Sequence, residues 1–169
     1  MGTDRVSVEY RRLLNDYVSY IYSHFGNRLR SVCLFGSVAR GEATPTSDID
    51  VLVVAEDLPR DVGLRTRETN WIHIKLRETE SYQALKKLGR NCLISDIFLT
   101  PQEVETHPPI LLDMIDDGVI FYDKDNFLKN ALEKLSEKLK QLGAKKIKTE
   151  KGHYWILKPD AKPSEVVEI

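Results

Sequence analysis

The chain is poor in the residues that build disulfide frameworks and zinc sites. It has two cysteines and four histidines among 169 residues. Cys33 and Cys92 each lie in an apolar run without a neighbouring histidine or a second cysteine, a pattern that favours buried free thiols. No histidine pairs with an acid or a cysteine at the spacing of metal ligands. The sequence therefore gives no indication of an oxidising compartment or of a zinc centre.

Long hydrophobic runs are also missing. No apolar stretch approaches the roughly 18 residues that a membrane-spanning helix needs, and the N-terminal residues show no signal-peptide core. We therefore expect a soluble, cytoplasmic protein that does not associate with membranes. With 169 residues, 41% of them hydrophobic, the chain can bury one core of ordinary size. It contains no Walker-type loop, dinucleotide fingerprint or serine-nucleophile elbow.

Two short apolar runs carry the most informative polar residues. The first, residues 32–35, ends at Gly36 and Ser37, where backbone can approach a ligand closely and amide groups can hold phosphate oxygens. Ten residues after Ser37, Asp48 and Asp50 alternate with apolar residues, so both carboxylates leave the same face of a second strand. Carboxylates so placed can bind two divalent ions roughly 3.5–4 Å apart, which neutralise a triphosphate during transfer.

This pattern resembles the signature of the minimal nucleotidyltransferases of the DNA polymerase beta superfamily. That signature is Gly-Ser, ten residues, and then Asp-x-Asp within an apolar strand, and the resemblance covers about residues 30–100. It implies an enzyme that moves a nucleoside monophosphate, first of all AMP, from ATP or another nucleoside triphosphate to an acceptor hydroxyl. It also implies two magnesium ions and the release of pyrophosphate.

The resemblance assigns roles to seven residues. The implied catalytic and metal-binding residues are Asp48, Asp50 and Asp96, and the implied nucleotide-binding residues are Gly36, Ser37, Arg40 and Ser47. Asp96 would share a metal ion and help to deprotonate the acceptor. Its alternative role is that of a strand aspartate bound to a neighbouring donor, because an unpaired carboxylate is costly to bury. Arg40 either neutralises phosphate charge or pairs with Glu42 at the surface.

Alternating helical and strand patterns predict an α/β (α+β) fold, and the resemblance implies the nucleotidyltransferase fold, a mixed sheet flanked by helices. Gly26 is expected to end the first helix, Thr100 to cap a later one, and Trp71 and Ile74 to be apolar contacts of a mostly polar helical region. The predicted elements are a helix over residues 6–25, strands over 31–35 and 48–55, a helical region over 59–89, a strand around Asp96, a short helix from residue 100, a helix over 110–117 and an edge strand over 119–122.

Residues 1–122 are expected to form the nucleotidyltransferase core, with residues 123–169 as a C-terminal extension packed on the same domain. The extension begins with an amphipathic helix over residues 125–142, whose leucine stripe fits either a core face or the interface of a homodimer. A basic β-hairpin with a turn at Glu150-Lys151-Gly152 and a tail from Pro159 onward are expected to follow.

Positive charge is concentrated in this extension. Residues 129–162 hold ten lysines against four acidic residues, although the net charge of the whole chain is −1. Such a region can bind polyphosphate, RNA or an acidic partner surface. The simpler interpretation, a solvated hairpin with a buried aromatic patch, is preferred, and nucleic-acid binding is not favoured.

The acceptor is not identified by any motif. Small nucleotidyltransferases of the kind that this chain resembles are often antitoxins that place AMP on a tyrosine of a HEPN-type ribonuclease toxin, whereas larger ones modify aminoglycosides or RNA. Because no second helical domain is evident, a HEPN-type partner protein is the first expectation. A small-molecule acceptor, an RNA acceptor and a non-catalytic nucleotide- or partner-binding module remain as alternatives.

Overall fold

The computed structural model describes residues 5–149 and 152–162. None of the helices in these two ranges is long and apolar enough to cross a membrane. The elements in chain order are α1 (Val8–Phe25), β1 (Leu29–Phe35), α2 (Gly36–Arg40), β2 (Ile49–Ala55), α3 (Val62–Leu76), α4 (Glu80–Lys87), β3 (Ile94–Leu99), α5 (Pro101–Glu105), a 3-10 turn (Pro109–Asp113), β4 (Val119–Asp123), α6 (Phe127–Gln141), β5 (Lys145–Thr149) and β6 (Gly152–Ile156).

The first four strands form one mixed sheet in the order β3-β2-β1-β4. Strand β1 is antiparallel to both β2 and β4, whereas β2 and β3 are parallel. A parallel pair requires a long crossover connection, and helices α3 and α4 supply it. This mixed sheet flanked by helices confirms the predicted fold class.

The sheet separates two apolar clusters. Side chains of β2 alternate between them, because successive residues of a strand point to opposite faces. Ile49, Val51 and Val53 pack with α1, α3 and α4 on one side, which we call the α1 face. Leu52 and Val54 pack with α5, the 3-10 turn and α6 on the other side, the α6 face.

The helices that cover the two faces are amphipathic, as their spacing predicts. Helix α1 buries Leu13, Leu14, Tyr17 and Ile21 and ends at Gly26, which has a φ of +52°. The leucine stripe of α6 at positions 128, 132, 135 and 139 is buried in the α6-face cluster. The stripe is therefore part of the core of this chain.

The helical region after β2 differs from the prediction. It is divided into α3 and α4, and Thr79 caps α4 by accepting a hydrogen bond from the Tyr82 amide. Of two residues predicted to be apolar contacts, Ile74 is 53% exposed, whereas Trp71, 39% exposed, packs edge-on against the ring of Tyr20 in α1. Helix α3 has this unexpected orientation because its buried side includes Arg65, whose guanidinium group is held by hydrogen bonds.

The segment before β4 is also less regular than predicted. Residues expected to form one helix over 110–117 form a 3-10 turn over Pro109–Asp113 and further turns. Pro109 begins the 3-10 turn, a position at which the missing amide donor of proline costs nothing. Just upstream, the predicted start of α5 is confirmed, since Thr100 and Glu103 form a reciprocal capping box.

The C-terminal extension carries the predicted hairpin. Strands β5 and β6 pair in antiparallel fashion, and Trp155 and Leu157 pack against the α6-face cluster. The predicted turn at Glu150 and Lys151 lies outside the described residues, as does the tail over residues 163–169.

Candidate active site

The loop between β1 and α2 lies directly against a carboxyl group of β2. Phe35, the last residue of β1, pairs with Asp50, so the next residue, Gly36, is brought beside the Asp50 side chain. Gly36 has a φ of +72°, and a Cβ atom at this position would overlap Asp50 Oδ2. Both the backbone conformation and the lack of space therefore require glycine.

Asp48 and Asp50 lie close together at the start of β2. Asp48 is exposed, and its Oδ1 accepts a hydrogen bond of 2.6 Å from Asn91 Nδ2. Partial burial raises the pKa of the Asp50 carboxyl group, and the charges of Asp48 and Asp113 raise it further, whereas Arg40 lowers it. Burial is the largest of these influences, and a cation beside Asp50 would favour the ionised form of its carboxyl group.

The chemistry of these two side chains fits a hard divalent cation. Magnesium prefers oxygen ligands and is usually held by one or two protein carboxylates together with water and substrate phosphates. Across residues 5–149 and 152–162, no group of three or more histidine, cysteine or acidic side chains is arranged to hold a metal ion. Asp48 and Asp50 supply carboxylate oxygens of the kind that such an ion prefers.

Asp96 does not join this pair, which corrects the prediction for the third acid. In the parallel register of β2 and β3, Asp96 lies beside Val51 and Ser95 lies beside Asp50. Val51 faces the α1 side of the sheet, and so does Asp96. Its Oδ2 accepts a hydrogen bond of 2.8 Å from Tyr17 Oη and lies 2.9 Å from His73 Nε2, with the Asp96 side chain only 6% exposed. The alternative role, an aspartate bound to neighbouring donors, is the one that the structure shows.

Arg40 follows the alternative that the sequence left open. Its Nε donates a hydrogen bond of 2.7 Å to Glu42 Oε2 at the surface. Its charge nevertheless acts on Asp50, so Arg40 lies at the edge of the site. Glu42 is the ion-pair partner of Arg40, and the guanidinium charge stays near the Asp48 and Asp50 carboxylates.

Ser47 has a local structural role. Its Oγ accepts a hydrogen bond of 2.9 Å from the Thr44 amide and lies 3.0 Å from the Thr44 hydroxyl. These contacts close the turn over residues 44–47 that leads into Asp48. The hydroxyl predicted to contact the nucleotide is therefore already used by the turn.

Two residues near the acids have no signal in the sequence. Asn91 holds Asp48, and its Oδ1 accepts a hydrogen bond of 3.1 Å from the Leu93 amide, so one side chain connects Asp48 to the start of β3. Asp113, at the end of the 3-10 turn, adds negative charge near Asp50. Both approach the site from segments far away in sequence, and no spacing rule could have selected them.

Comparisons with known proteins identify a family for this chain. A model of the nucleotidyltransferase domain family matches residues 18–91. A protein of Methanocaldococcus jannaschii named "Putative protein adenylyltransferase" is 33% identical over 132 residues, which cover 77% of this chain and 83% of that protein.

Two solved structures are similar at lower identity. One is a toxin-antitoxin structure with AMP-PNP, at 16% identity and a TM-score of 0.44, covering 76% of this chain and 87% of that one. The other is the tri-AMPylated Shewanella oneidensis HEPN toxin in complex with MNT antitoxin, at 15% identity and a TM-score of 0.44, covering 79% and 92%. On the strength of its motif and its Methanocaldococcus relative, this chain belongs to the minimal nucleotidyltransferases of the DNA polymerase beta superfamily and is an enzyme of the nucleotidyltransferase type.

Proposed function

We propose that this enzyme transfers AMP from ATP to a hydroxyl group of a partner protein. The observation that carries the proposal is the contact between the Gly36 loop and Asp50, with Asp48 beside it. A loop suited to phosphate and a carboxylate pair suited to magnesium are thereby joined in one small unit. The name of the Methanocaldococcus relative, a protein adenylyltransferase at 33% identity, supports AMP as the transferred group and a protein as the acceptor.

Asp48 and Asp50 would hold the magnesium. The resemblance implies two ions, and the phosphate oxygens of the nucleotide would supply ligands beyond the two carboxylates. When bound, magnesium neutralises the charge that develops on the phosphates during transfer. Asn91 fixes the orientation of Asp48 through its hydrogen bond, so it is a positioning residue in this proposal.

Gly36 and Ser37 would bind the phosphates, and Arg40 would add positive charge. In the transfer, the acceptor oxygen forms a bond to the α-phosphorus while the bond from that phosphorus to the bridging oxygen breaks. Pyrophosphate then leaves, and the proton of the acceptor hydroxyl passes to solvent. Asp96 takes no part, because it lies on the opposite face of the sheet.

The partner that we propose is a HEPN-type toxin, with a tyrosine as the acceptor. This choice follows from the resemblance to small nucleotidyltransferases, many of which act as antitoxins. The described chain has one mixed sheet and one hairpin, and we see in it no separate helical domain that would enclose an antibiotic or a transfer RNA. A protein acceptor can instead bring its tyrosine to the open edge of the site.

The first test is a binding titration with α,β-methylene-ATP and magnesium. We expect wild-type protein to bind, and Asp48→Asn/Asp50→Asn to lose at least about 30-fold in affinity, because two anionic metal ligands become neutral. Asp96→Asn serves as the matched control, an aspartate on the neighbouring strand but on the other face, and should bind within about twofold of wild type. Equal binding by wild type and the double variant would overturn the proposal.

The second test concerns the acceptor. The enzyme is incubated with radiolabelled ATP, magnesium and a co-purified HEPN-type protein, and each chain is examined by intact mass spectrometry. We expect the HEPN-type protein to gain the mass of AMP and the corresponding Tyr→Phe variant to gain none. Label on added RNA, with none on protein, would show instead that RNA is the acceptor.

A further inference from the structure

A charged groove of about 580 Å³ lies between α2 and the C-terminal hairpin. Its lining holds four cationic side chains and three acidic ones. Some of these residues belong to the core and others to the basic extension, so the two regions meet at this groove. The charged residues that line it are Arg5, Arg40, Lys146 and Lys148, with Glu42, Asp116 and Asp117.

The hairpin wall of the groove is firmly held. Lys146 Nζ lies 2.9 Å from Asp116 Oδ2 and 3.5 Å from Asp117 Oδ2, and it is 5.8 Å from the centre of the Trp155 ring. Trp155 in turn packs on the α6-face cluster. The charge of Lys146 is therefore already matched, and its role is to fix β5 in place.

Lys148 lies on the same face of β5 as Lys146, but the two differ in exposure and in ion pairing. Lys148 is exposed, and no side chain within the described ranges forms an ion pair with it at 4 Å or less. Its charge reaches Glu42, whose pKa is lowered first by the hydrogen bond from Arg40 and also by Lys148. Arg40 and Lys148 thus approach one carboxylate from the two walls of the groove.

The groove lies next to the proposed phosphate loop. Arg40 lines the groove and also acts on Asp50, and it follows Ser37 by three residues in α2. Attacking and leaving oxygens lie roughly in line on opposite sides of a transferred phosphorus. We consider a nucleotide with its α-phosphate at Asp48 and Asp50 and its next phosphates along the Gly36 loop. Its leaving group would then extend toward Arg40.

We propose that Lys148, together with Arg40, binds the terminal phosphates of the nucleotide, so that the C-terminal hairpin completes the leaving-group end of the site. Glu42 accepts the hydrogen bond from Arg40 at this position and Lys148 acts on it only through its charge, so bound phosphates would compete with Glu42 for Arg40. This inference rests on the proposed nucleotide transfer and extends it to a residue outside residues 18–91, which the family model matches.

Three single variants test this inference, with binding measured for α,β-methylene-ATP, inorganic tripolyphosphate and AMP. Lys148→Ala should weaken binding of the first two ligands by about 5- to 10-fold and of AMP by less than twofold. Glu42→Gln should have the opposite sign and tighten tripolyphosphate binding by about threefold, because it removes a competing anion bound to Arg40. Lys145→Ala, an exposed lysine of the same strand that does not line the groove, is the control and should change nothing.

The outcomes separate this inference from the proposed function. If wild type binds α,β-methylene-ATP and Lys148→Ala binds as well as Lys145→Ala, the role of Lys148 is wrong and the proposed function stands. If Lys148→Ala weakens AMP as much as the triphosphate, the contact is not to the terminal phosphates and the inference is also wrong. If wild type binds no nucleotide and no tripolyphosphate, both the function and the inference fail. Circular dichroism melting curves confirm that each variant is folded.

Discussion

Asp50 and Asp96 lie on adjacent strands but on opposite faces of one sheet, and their surroundings differ. Asp50 is half-buried beside Asp48, and its pKa is raised first by burial and then by that neighbouring charge. Asp96 is more deeply buried, yet Tyr17 Oη and His73 Nε2 both lie within hydrogen-bond distance of it. Burial alone therefore does not identify a reactive acid. Within residues 5–149 and 152–162, Asp96 has two groups at hydrogen-bond distance, whereas the neighbours that act on Asp50 are mostly charged groups of its own sign.

Tyr17 shows how the Asp96 side is stabilised. The pKa of its fully buried hydroxyl is raised well above the usual value by burial and then by the charge of Asp96. The hydroxyl therefore remains protonated and donates throughout the physiological pH range. One hydrogen bond thus connects α1 to β3 across the α1-face core.

The largest effect that would sharpen this comparison is expected for Asp50→Asn. Loss of an anionic metal ligand should reduce AMP transfer by at least about 1,000-fold, or about 4 kcal/mol of transition-state stabilisation. The assay is transfer of label from ATP to the partner protein under saturating magnesium. Activity within about tenfold of wild type would show that Asp50 does not hold the metal ion.

The same variant should not destabilise the protein. A folded-state pKa raised above its unfolded value means that ionised Asp50 opposes folding at neutral pH, and that this effect disappears as the pH falls through the raised pKa. Without magnesium, Asp50→Asn should therefore be as stable as wild type or more stable in urea unfolding at pH 7. A clear loss of stability would show that Asp50, like Asp96, is mainly structural.

Asp96→Ala should reduce stability and leave nucleotide binding almost unchanged, the reverse of what we expect for Asp50→Asn. Removal of this acceptor leaves the buried Tyr17 Oη and the partly exposed His73 Nε2 without their partner, and an unsatisfied buried donor costs about 1–3 kcal/mol. We expect the free energy of unfolding to fall by about 3 kcal/mol, measured by urea denaturation, while nucleotide affinity of the folded protein stays within about twofold. The milder variant Tyr17→Phe should cost about 1 kcal/mol. A selective loss of magnesium-dependent binding would return Asp96 to the active site.

Gly36→Ala should destabilise the loop and strand around Asp50 by about 2 kcal/mol. Part of this effect is backbone strain at a φ of +72°, about 1 kcal/mol, and the rest comes from overlap between the new Cβ and Asp50 Oδ2. Gly89→Ala is the matched control, because Gly89 has a φ of +68° and open space around it. We expect a loss of about 30-fold in nucleotide affinity for Gly36→Ala only. If both variants bind alike, the space beside Asp50 is not limiting.

The smallest expected effect concerns an ion pair between α3 and α5, which pack on opposite faces of the sheet near the edge strand β3. Arg65 of α3 donates two hydrogen bonds of 2.8 Å to Glu103 of α5, and these bonds lower the pKa of Glu103 to about 2. A lowered folded-state pKa stabilises the protein above the unfolded value of 4.5, and this contribution is lost as the pH falls from 4.5 toward about 2.

Solvent screening limits the size of that contribution, because the Glu103 side chain is 42% exposed. Glu103→Gln should therefore cost about 1 kcal/mol at pH 7 and progressively less below pH 4.5. The measurement is urea unfolding of both proteins across this range. A difference between them that does not depend on pH would mean that the carboxylate charge contributes nothing.

The sequence predicts that Gly36 follows one strand and that Asp48 and Asp50 share a face of the next, because these relations are local. Gly36 directly follows β1, and the alternation within β2 alone decides which face the acids share. Asp96 depends instead on the register between β2 and β3, which are separated by α3 and α4. A shift of one residue moves every side chain of a strand to the other face, and no spacing rule reveals that shift.

The buried side of α3 could not be predicted from the sequence, for a different reason. Its buried side includes Arg65 and Thr69, polar residues whose hydrogen bonds permit burial. Apolar periodicity assigns such positions to the solvent and therefore assigns Trp71 and Ile74 to the core. Buried residues that satisfy each other through hydrogen bonds become visible only in three dimensions.

The pairing of Phe35 with Asp50 also bears on how such enzymes can diverge. Gly36, Asp48 and Asp50 belong to one β1-α2-β2 unit, so their mutual geometry does not depend on the length of α3 and α4. Insertions or deletions within α3 and α4, upstream of Asn91, can therefore change the outer surface while these three residues and the contact of Asn91 with Asp48 are kept.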